Sequence, residues 1–187
     1  KIKYNKLNKK ALDALTRSEA MNELVDSRFT GLKHFWSAVV VDRPKTKKKF
    51  DENIEKYKPE GDFTDDEKIE QLTALTGVYP INLVMSNEIK DRLFEKGIPA
   101  IGSFPEEENK NIVWFIPRSK ETKVTKNGKR YWVVSVTDST NSLTNVKCWS
   151  IRDTDVLHLN RPYMAQVSKD AFGFSIRSFK DQIKLLG

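Results

Sequence analysis

The stretch Lys123-Val124-Thr125-Lys126-Asn127-Gly128-Lys129-Arg130-Tyr131-Trp132-Val133-Val134-Ser135-Val136-Thr137-Asp138, followed by Leu143-Thr144-Asn145-Val146-Lys147-Cys148-Trp149, decides how the second half of this chain is read. Asn127-Gly128 is a turn signal between alternating segments, so the run predicts two strands joined by a basic turn and then a third strand. Aromatics and cations interleave along it. That pattern suits a small barrel gripping single-stranded nucleic acid, because a base stacks on an aromatic face while neighbouring ammonium and guanidinium groups neutralise phosphates. A solvated basic hairpin on an ordinary β domain is the other reading of the same residues.

Working outward, β-branched and aromatic residues concentrate in residues 112–116, 131–137, 143–149, 163–168 and 172–179. These five segments predict five strands, the number in an OB barrel, with residues 153–160 placed where such barrels commonly insert a helix. Strand alternation sends Trp132, Val134 and Val136 to the core and leaves Tyr131, Val133, Ser135 and Thr137 outward. On the next strand Val146 and Cys148 face inward, with Asn145, Lys147 and Trp149 outward. Tyr131 and Trp149 are therefore the candidate stacking residues, although Trp149 could equally cover the barrel. Lys123, Lys126, Lys129 and Arg130 crowd one turn and are the candidate phosphate ligands. Val133, Lys147 and Phe172 complete the candidate nucleic-acid-binding set, Phe172 at the groove edge; Phe174 could line that edge or enter the core.

Residues 1–104 read as helical and residues 109–187 as the barrel, with Glu106-Glu107-Glu108-Asn109-Lys110 as the polar boundary, which makes the class α+β. Asn8 is positioned to cap a helix over 9–17 that turns Leu12 and Leu15 inward. A second helix is predicted over 21–41, burying Leu24, Val25, Phe29, Leu32, Phe35, Trp36 and Val39 and ended by Pro44. Residues 43–49, Arg-Pro-Lys-Thr-Lys-Lys-Lys, read as an exposed cationic loop that could touch a DNA backbone. Thr64-Asp65-Asp66-Glu67 has capping-box spacing and predicts a helix to Thr76 that buries Ile69, Leu72 and Leu75 and stops at Gly77. Capping is also the reading of the acidic cluster Asp62, Asp65, Asp66 and Glu67, which lacks the spacing of a calcium loop. A further helix over 87–96 is capped by Ser86 and closed by Gly97.

Of 33 Lys and Arg, 14 follow residue 108, against only 6 of 26 Asp and Glu, so the later part carries net +8 and the earlier part −1. A localised positive field steers polyanions, whereas a diffuse one mainly confers solubility. Cys148 is the only cysteine, so an internal disulfide is excluded and a reducing, cytoplasmic setting is expected. No apolar run approaches a membrane span, and no membrane partner is expected. The chain reads as a fragment of a longer polypeptide.

These residues carry a resemblance. The run 125–138 with Asn141-Ser142-Leu143 resembles the OB domain of the bacterial C-family replicative DNA polymerases, the polymerase III alpha subunits. Leu7-Asn8-Lys9-Lys10-Ala11-Leu12-Asp13-Ala14-Leu15 resembles the last helix of their tandem helix-hairpin-helix region, and Leu75-Thr76-Gly77-Val78-Tyr79 resembles an element of the linker between the two. Ser18-Glu19-Ala20 and Asn141 stand where the family commonly has glycine, which suggests a diverged bacterial or phage relative. The resemblance implies a template-holding, single-stranded-DNA-binding portion of such an enzyme. The parent would be a DNA-directed DNA polymerase requiring magnesium, with a sliding clamp and other replisome proteins as partners.

Within this chain no catalytic residue and no cofactor or metal site is expected. The carboxylates of a polymerase palm would be needed for phosphoryl transfer, and nothing here resembles them. His34 and His158 stand alone, Cys148 has no base partner and sits in an apolar strand, and no phosphate-cradling glycine loop occurs. A protein-interaction module of a replisome and an RNA- or anticodon-binding barrel remain the alternative readings.

Overall fold

The computed structural model describes residues 6–187, which divide into two compact units, the first ending at Val78 and the second running from Tyr79 to Gly187.

The first unit is helical. Helix α1 (Lys9–Arg17) starts where Asn8 Oδ1 accepts the Ala11 N–H at 2.7 Å. Leu12 is fully buried, but Leu15 is 38% exposed, and Thr16 takes the inward position with its hydroxyl donating to the Leu12 carbonyl. The single helix expected over 21–41 is instead broken. A short 3-10 turn spans Asn22–Leu24 with Leu24 exposed, and helix resumes as α2 (Leu32–Phe35), which widens into a π-helical turn at Trp36–Val41. Asp26-Ser27-Arg28 causes the interruption, since the Asp26 carboxylate accepts the Arg28 N–H at 3.1 Å and holds a turn that competes with helix. The Asp62 carboxylate then restarts the helix by accepting the N–H groups of Leu32 (3.2 Å) and Lys33 (2.8 Å).

The expected cationic loop is only half loop. Thr46 Oγ1 accepts the Lys49 N–H at 3.1 Å and starts α3 (Lys47–Lys56). The sequence hides this helix because three lysines occupy its positive end, where carboxylates are the usual signal. Helix α4 (Asp65–Thr76) carries the anticipated capping box and ends on Gly77 at φ 72°; of the three residues expected inward it buries Ile69, half-buries Leu72 and leaves Leu75 37% exposed. Phe29, Leu32, Phe35, Val39, Ile54 and Phe63 form the heart of the first core with Leu12. Each such side chain contributes about 1.5–3 kcal/mol on burial.

The second unit opens with α5 (Ile81–Val84) and α6 (Asn87–Glu95), the latter capped by Ser86 and followed by Gly97 at φ 61°. A six-stranded sheet follows: β1 (Lys110–Val124), β2 (Arg130–Thr137), β3 (Thr144–Cys148), β4 (Tyr163–Asp170), β5 (Gly173–Ile176) and β6 (Ile183–Leu185). The short helix α7 (Phe179–Gln182) lies between the last two. The sequence predicts five strands. The sixth is three mostly exposed residues on the edge of β4, without the apolar alternation that marks the others. The segment 153–160 forms turns rather than a helix.

Strand β1 is long enough to serve two neighbours. Its residues 110–115 pair antiparallel with β4 and its residues 116–124 pair antiparallel with β2, with a register shift between Pro117 and Ser119. Strands β3 and β5 pair in parallel, so the hydrogen-bonded circuit runs β1-β2-β3-β5-β4 and back to β1. Trp132, Val134, Val136, Val146, Cys148, Ala165 and Ile176 form the second core, joined by Ile101 and Phe104 from the segment before β1. Tyr79 belongs with this unit: its N–H donates to Asn141 Oδ1 at 2.9 Å, its hydroxyl bonds Asn160, and the Arg118 guanidinium lies 4.0 Å above its ring.

Thr137, expected outward, is buried. It lies beside the fully buried Asp138, whose carboxylate accepts the Gly102 N–H and, at 2.7 Å, both the N–H and the hydroxyl of Thr140. The segment around Gly102 is thereby held against this end of β2, and strand alternation no longer separates core from solvent there.

Candidate nucleic-acid interface

The turn that joins β1 to β2 is built by its own residues. The Gly128 N–H donates to the Thr125 carbonyl at 3.0 Å, the Thr125 N–H donates to the Lys129 carbonyl at 2.9 Å, and Gly128 takes φ 75°, where a side chain would be strained. This turn raises Lys126 and Lys129 into solvent at the end of the hairpin.

The pairing register lays the outward face of β1, β2 and β3 out in rows. Lys123 sits opposite Tyr131, and Trp149 lies one step beyond the Trp132–Cys148 pair, so Lys123, Tyr131 and Trp149 form the first row. Glu121, Val133 and Lys147 form the second, and Ser119, Ser135 and Asn145 the third. Tyr131 and Trp149 do not stand apart as two stacking sites. Their rings stack on each other, with centroids 4.4 Å apart and planes 21° from parallel, and the Lys129 ammonium lies 5.7 Å from the Trp149 ring. The result is one two-ring ledge, half-buried, with cations at its margin.

The remaining candidates fall around this ledge in different electrostatic states. Lys123 is exposed and forms a 3.2 Å ion pair with Glu121, and Arg130 is paired with Asp153. Lys147 donates to the Phe172 carbonyl at 3.1 Å and lies 5.9 Å from the Phe172 ring, which is 82% exposed. Val133 lies between Glu121 and Lys147 in its row, half-buried. Phe174 turns the other way: its ring meets Phe104 at 5.3 Å and packs against the core. The two neutralising carboxylates, Glu121 and Asp153, were not legible as partners in the sequence. Glu121 faces Lys123 only through the strand's period of two, and Asp153 comes from a loop 23 residues away from Arg130.

The other candidate groups have structural occupations. His34 is buried; its Nδ1 accepts the Thr30 N–H at 3.1 Å, so its Nε2–H donates to the Ile54 carbonyl at 2.7 Å. The Cys148 thiol is buried in the second core, and burial pushes its pKa up to about 12. In the acidic cluster, Thr64 and Glu67 make the capping box, and the Glu67 carboxyl is held below its ordinary range by the Lys33 ammonium and the Thr64 N–H. Asp62 caps α2, as described. Among the described residues, no three His, Cys, Asp or Glu side chains gather where they could hold a metal ion, and no helix is long and apolar enough to cross a membrane.

No family model and no curated protein matches the chain. Among solved structures it is similar to the crystal structure of the p204 HINb domain, at 14% sequence identity and a TM-score of 0.37. That alignment covers 55% of this chain and 53% of the other, so the match spans about half the length of that structure.

Proposed function

We propose that the second unit is an OB-type module that binds single-stranded DNA through the outward face of β1, β2 and β3. The strand circuit with its parallel β3–β5 pairing supports the architecture. The observation that carries the function is the Tyr131–Trp149 ledge with Lys129 over its edge. A base can stack against such a platform without reading sequence, and Lys126 and Lys129 in the adjoining turn, Lys123 in the same row and Lys147 in the next are the groups assigned to the flanking phosphates. Binding of this kind needs no catalytic group and no cofactor. The C-family polymerase as parent rests on the sequence motifs alone, and the binding proposal does not depend on it.

A second reading is a protein-interaction surface. It is favoured by Phe172, a large apolar ring standing in solvent, and by the ion pairs that already neutralise Lys123 and Arg130. Salt separates the two, because phosphate contacts release counterions and an apolar interface does not.

The test is fluorescence anisotropy of labelled oligo-dT against this chain across a salt series, with Tyr131→Ala and Lys126/Lys129→Ala variants and an oligo-U competitor. Salt-sensitive binding weakened by both variants is expected, Tyr131→Ala by about 1–3 kcal/mol. Tighter competition by oligo-U would move the partner to RNA. An absence of binding at low salt would reject the nucleic-acid reading in favour of the protein one.

A further inference from the structure

We propose that the first unit carries a separate surface, a lysine patch that grips the phosphate backbone of duplex nucleic acid. Two segments distant in sequence, 6–10 and 43–49, build it. They are stapled together twice: Lys9 Nζ donates to the Val41 carbonyl at 3.2 Å, and the Arg43 guanidinium donates to the Leu7 carbonyl. Together the segments hold eight Lys and Arg and no Asp or Glu.

The charge there is concentrated rather than balanced. Lys49 pairs with Asp42 at 3.6 Å, whereas Lys10, Lys45, Lys47 and Lys48 are exposed and make no ion pair among the described residues. Asp51 and Glu52 follow one turn further along α3, and Asp51 is engaged by Arg28 at 3.4 Å. Residues 50–70 hold nine Asp and Glu against three Lys, so the unit separates its charges instead of mixing them. The near-neutral total of the helical region therefore conceals a local positive field.

The placement of these cations also opposes the fold's own electrostatics. Helices α4 and α6 begin with acidic side chains, as the positive end of a helix favours, but α1 and α3 have none in their first turns and begin with Lys9-Lys10 and Lys47-Lys48-Lys49. Crowded ammonium groups at such ends weaken the helices unless an anion lies against them. Neither segment contains an aromatic residue, so the two segments offer no ring on which an exposed base could stack. Ammonium groups without a stacking platform suit a partner whose bases are covered and whose phosphates are dense, which is a duplex.

The test uses the whole chain with two labelled probes, a mixed-sequence DNA duplex and oligo-dT, and with phosphatidylserine vesicles as a third. The variants are Lys10/Lys45/Lys47/Lys48→Gln and the corresponding four-fold Arg replacement. The Gln variant is expected to lose duplex affinity by at least about tenfold and to lower the slope of log K against log salt by about three to four, while the Arg variant retains both. Oligo-dT affinity, where present, is expected to fall less than duplex affinity, since a single strand carries its phosphates less densely and its stacking contacts lie on the other unit. The proposal is overturned if the Gln variant binds duplex as the parent does, or if the Gln variant loses only its affinity for phosphatidylserine vesicles. Failure of oligo-dT to bind the parent would reject the single-strand proposal and leave the duplex result readable.

Discussion

Tyr131 and Trp149 stack ring on ring across β2 and the end of β3, at 4.4 Å between centroids. Such a pair is worth about 0.5–1.5 kcal/mol beyond the area it buries. A double-mutant cycle with Tyr131→Ala and Trp149→Ala, read by denaturant unfolding without nucleic acid, is therefore expected to show a coupling of about that size. A coupling of zero would mean that the rings are independent in solution and that the two-ring ledge does not exist there.

Asp153 neutralises Arg130. If the β1–β2 hairpin binds phosphates, Asp153→Asn should release the guanidinium for one more contact. Oligo-dT affinity is then expected to rise, with the salt slope steepening by about 0.7. An unchanged slope would place Arg130 off the path of the strand.

Gly31 is extended, at φ 169°, so its backbone would accept any residue, but a Cβ there would lie 2.5 Å from Asp62 Oδ2 and 2.7 Å from its carboxyl carbon. That carboxylate cannot move freely, because it accepts the N–H groups of Leu32, Lys33 and Phe63. Gly31→Ala is expected to displace the cap and lower stability by about 1–2 kcal/mol. The double variant with Asp62→Ala should be no worse than Asp62→Ala alone; additive losses in thermal unfolding would show that glycine is needed for some other reason.

Asn53, fully buried, donates through Nδ2 to the Ala38 carbonyl at 2.9 Å and to the Asp42 carbonyl at 2.6 Å, closing the π-helical turn. Asn53→Ala leaves both acceptors without that donor, at about 2–4 kcal/mol. Asn53→Asp should be at least as damaging, since a carboxylate cannot donate. Urea unfolding of the two variants checks the order.

Burial holds the Cys148 thiol protonated in the folded protein to about pH 12, well above its ordinary range. The unfolded chain ionises first, so the thiol's contribution is fully present below the ordinary thiol range and is lost as pH rises toward the folded value. The stability advantage of the parent over Cys148→Ala should shrink above about pH 9, by up to about 1.4 kcal/mol per unit. Thiol reagents at neutral pH should label Cys148 only as fast as the protein unfolds.

Several of these elements are legible in the sequence. The Asn127-Gly128 turn, the Asn8, Thr64 and Ser86 caps, the Gly77 and Gly97 stops and the inward set Trp132, Val134, Val136, Val146 and Cys148 all follow from local rules, because a cap, a left-handed glycine or a period of two is satisfied by neighbours in the chain. The misplaced elements involve distant partners or weak local signals. A carboxylate 30 residues away starts α2 at Leu32, and lysines at its positive end disguise α3.

The sequence by itself determined the helical first part, the strand-rich second part, and the clustering of aromatics and cations around one hairpin. Only the tertiary structure decided what those groups do to one another. Pairing register stacks Tyr131 on Trp149, loop packing sets Asp153 against Arg130 and Gly102 against Asp138, and two long-range staples merge separate lysine segments into one patch. Side-chain chemistry and short-range periodicity are written residue by residue, whereas a field or a ring stack exists only after the chain has folded back on itself and distant groups share a face.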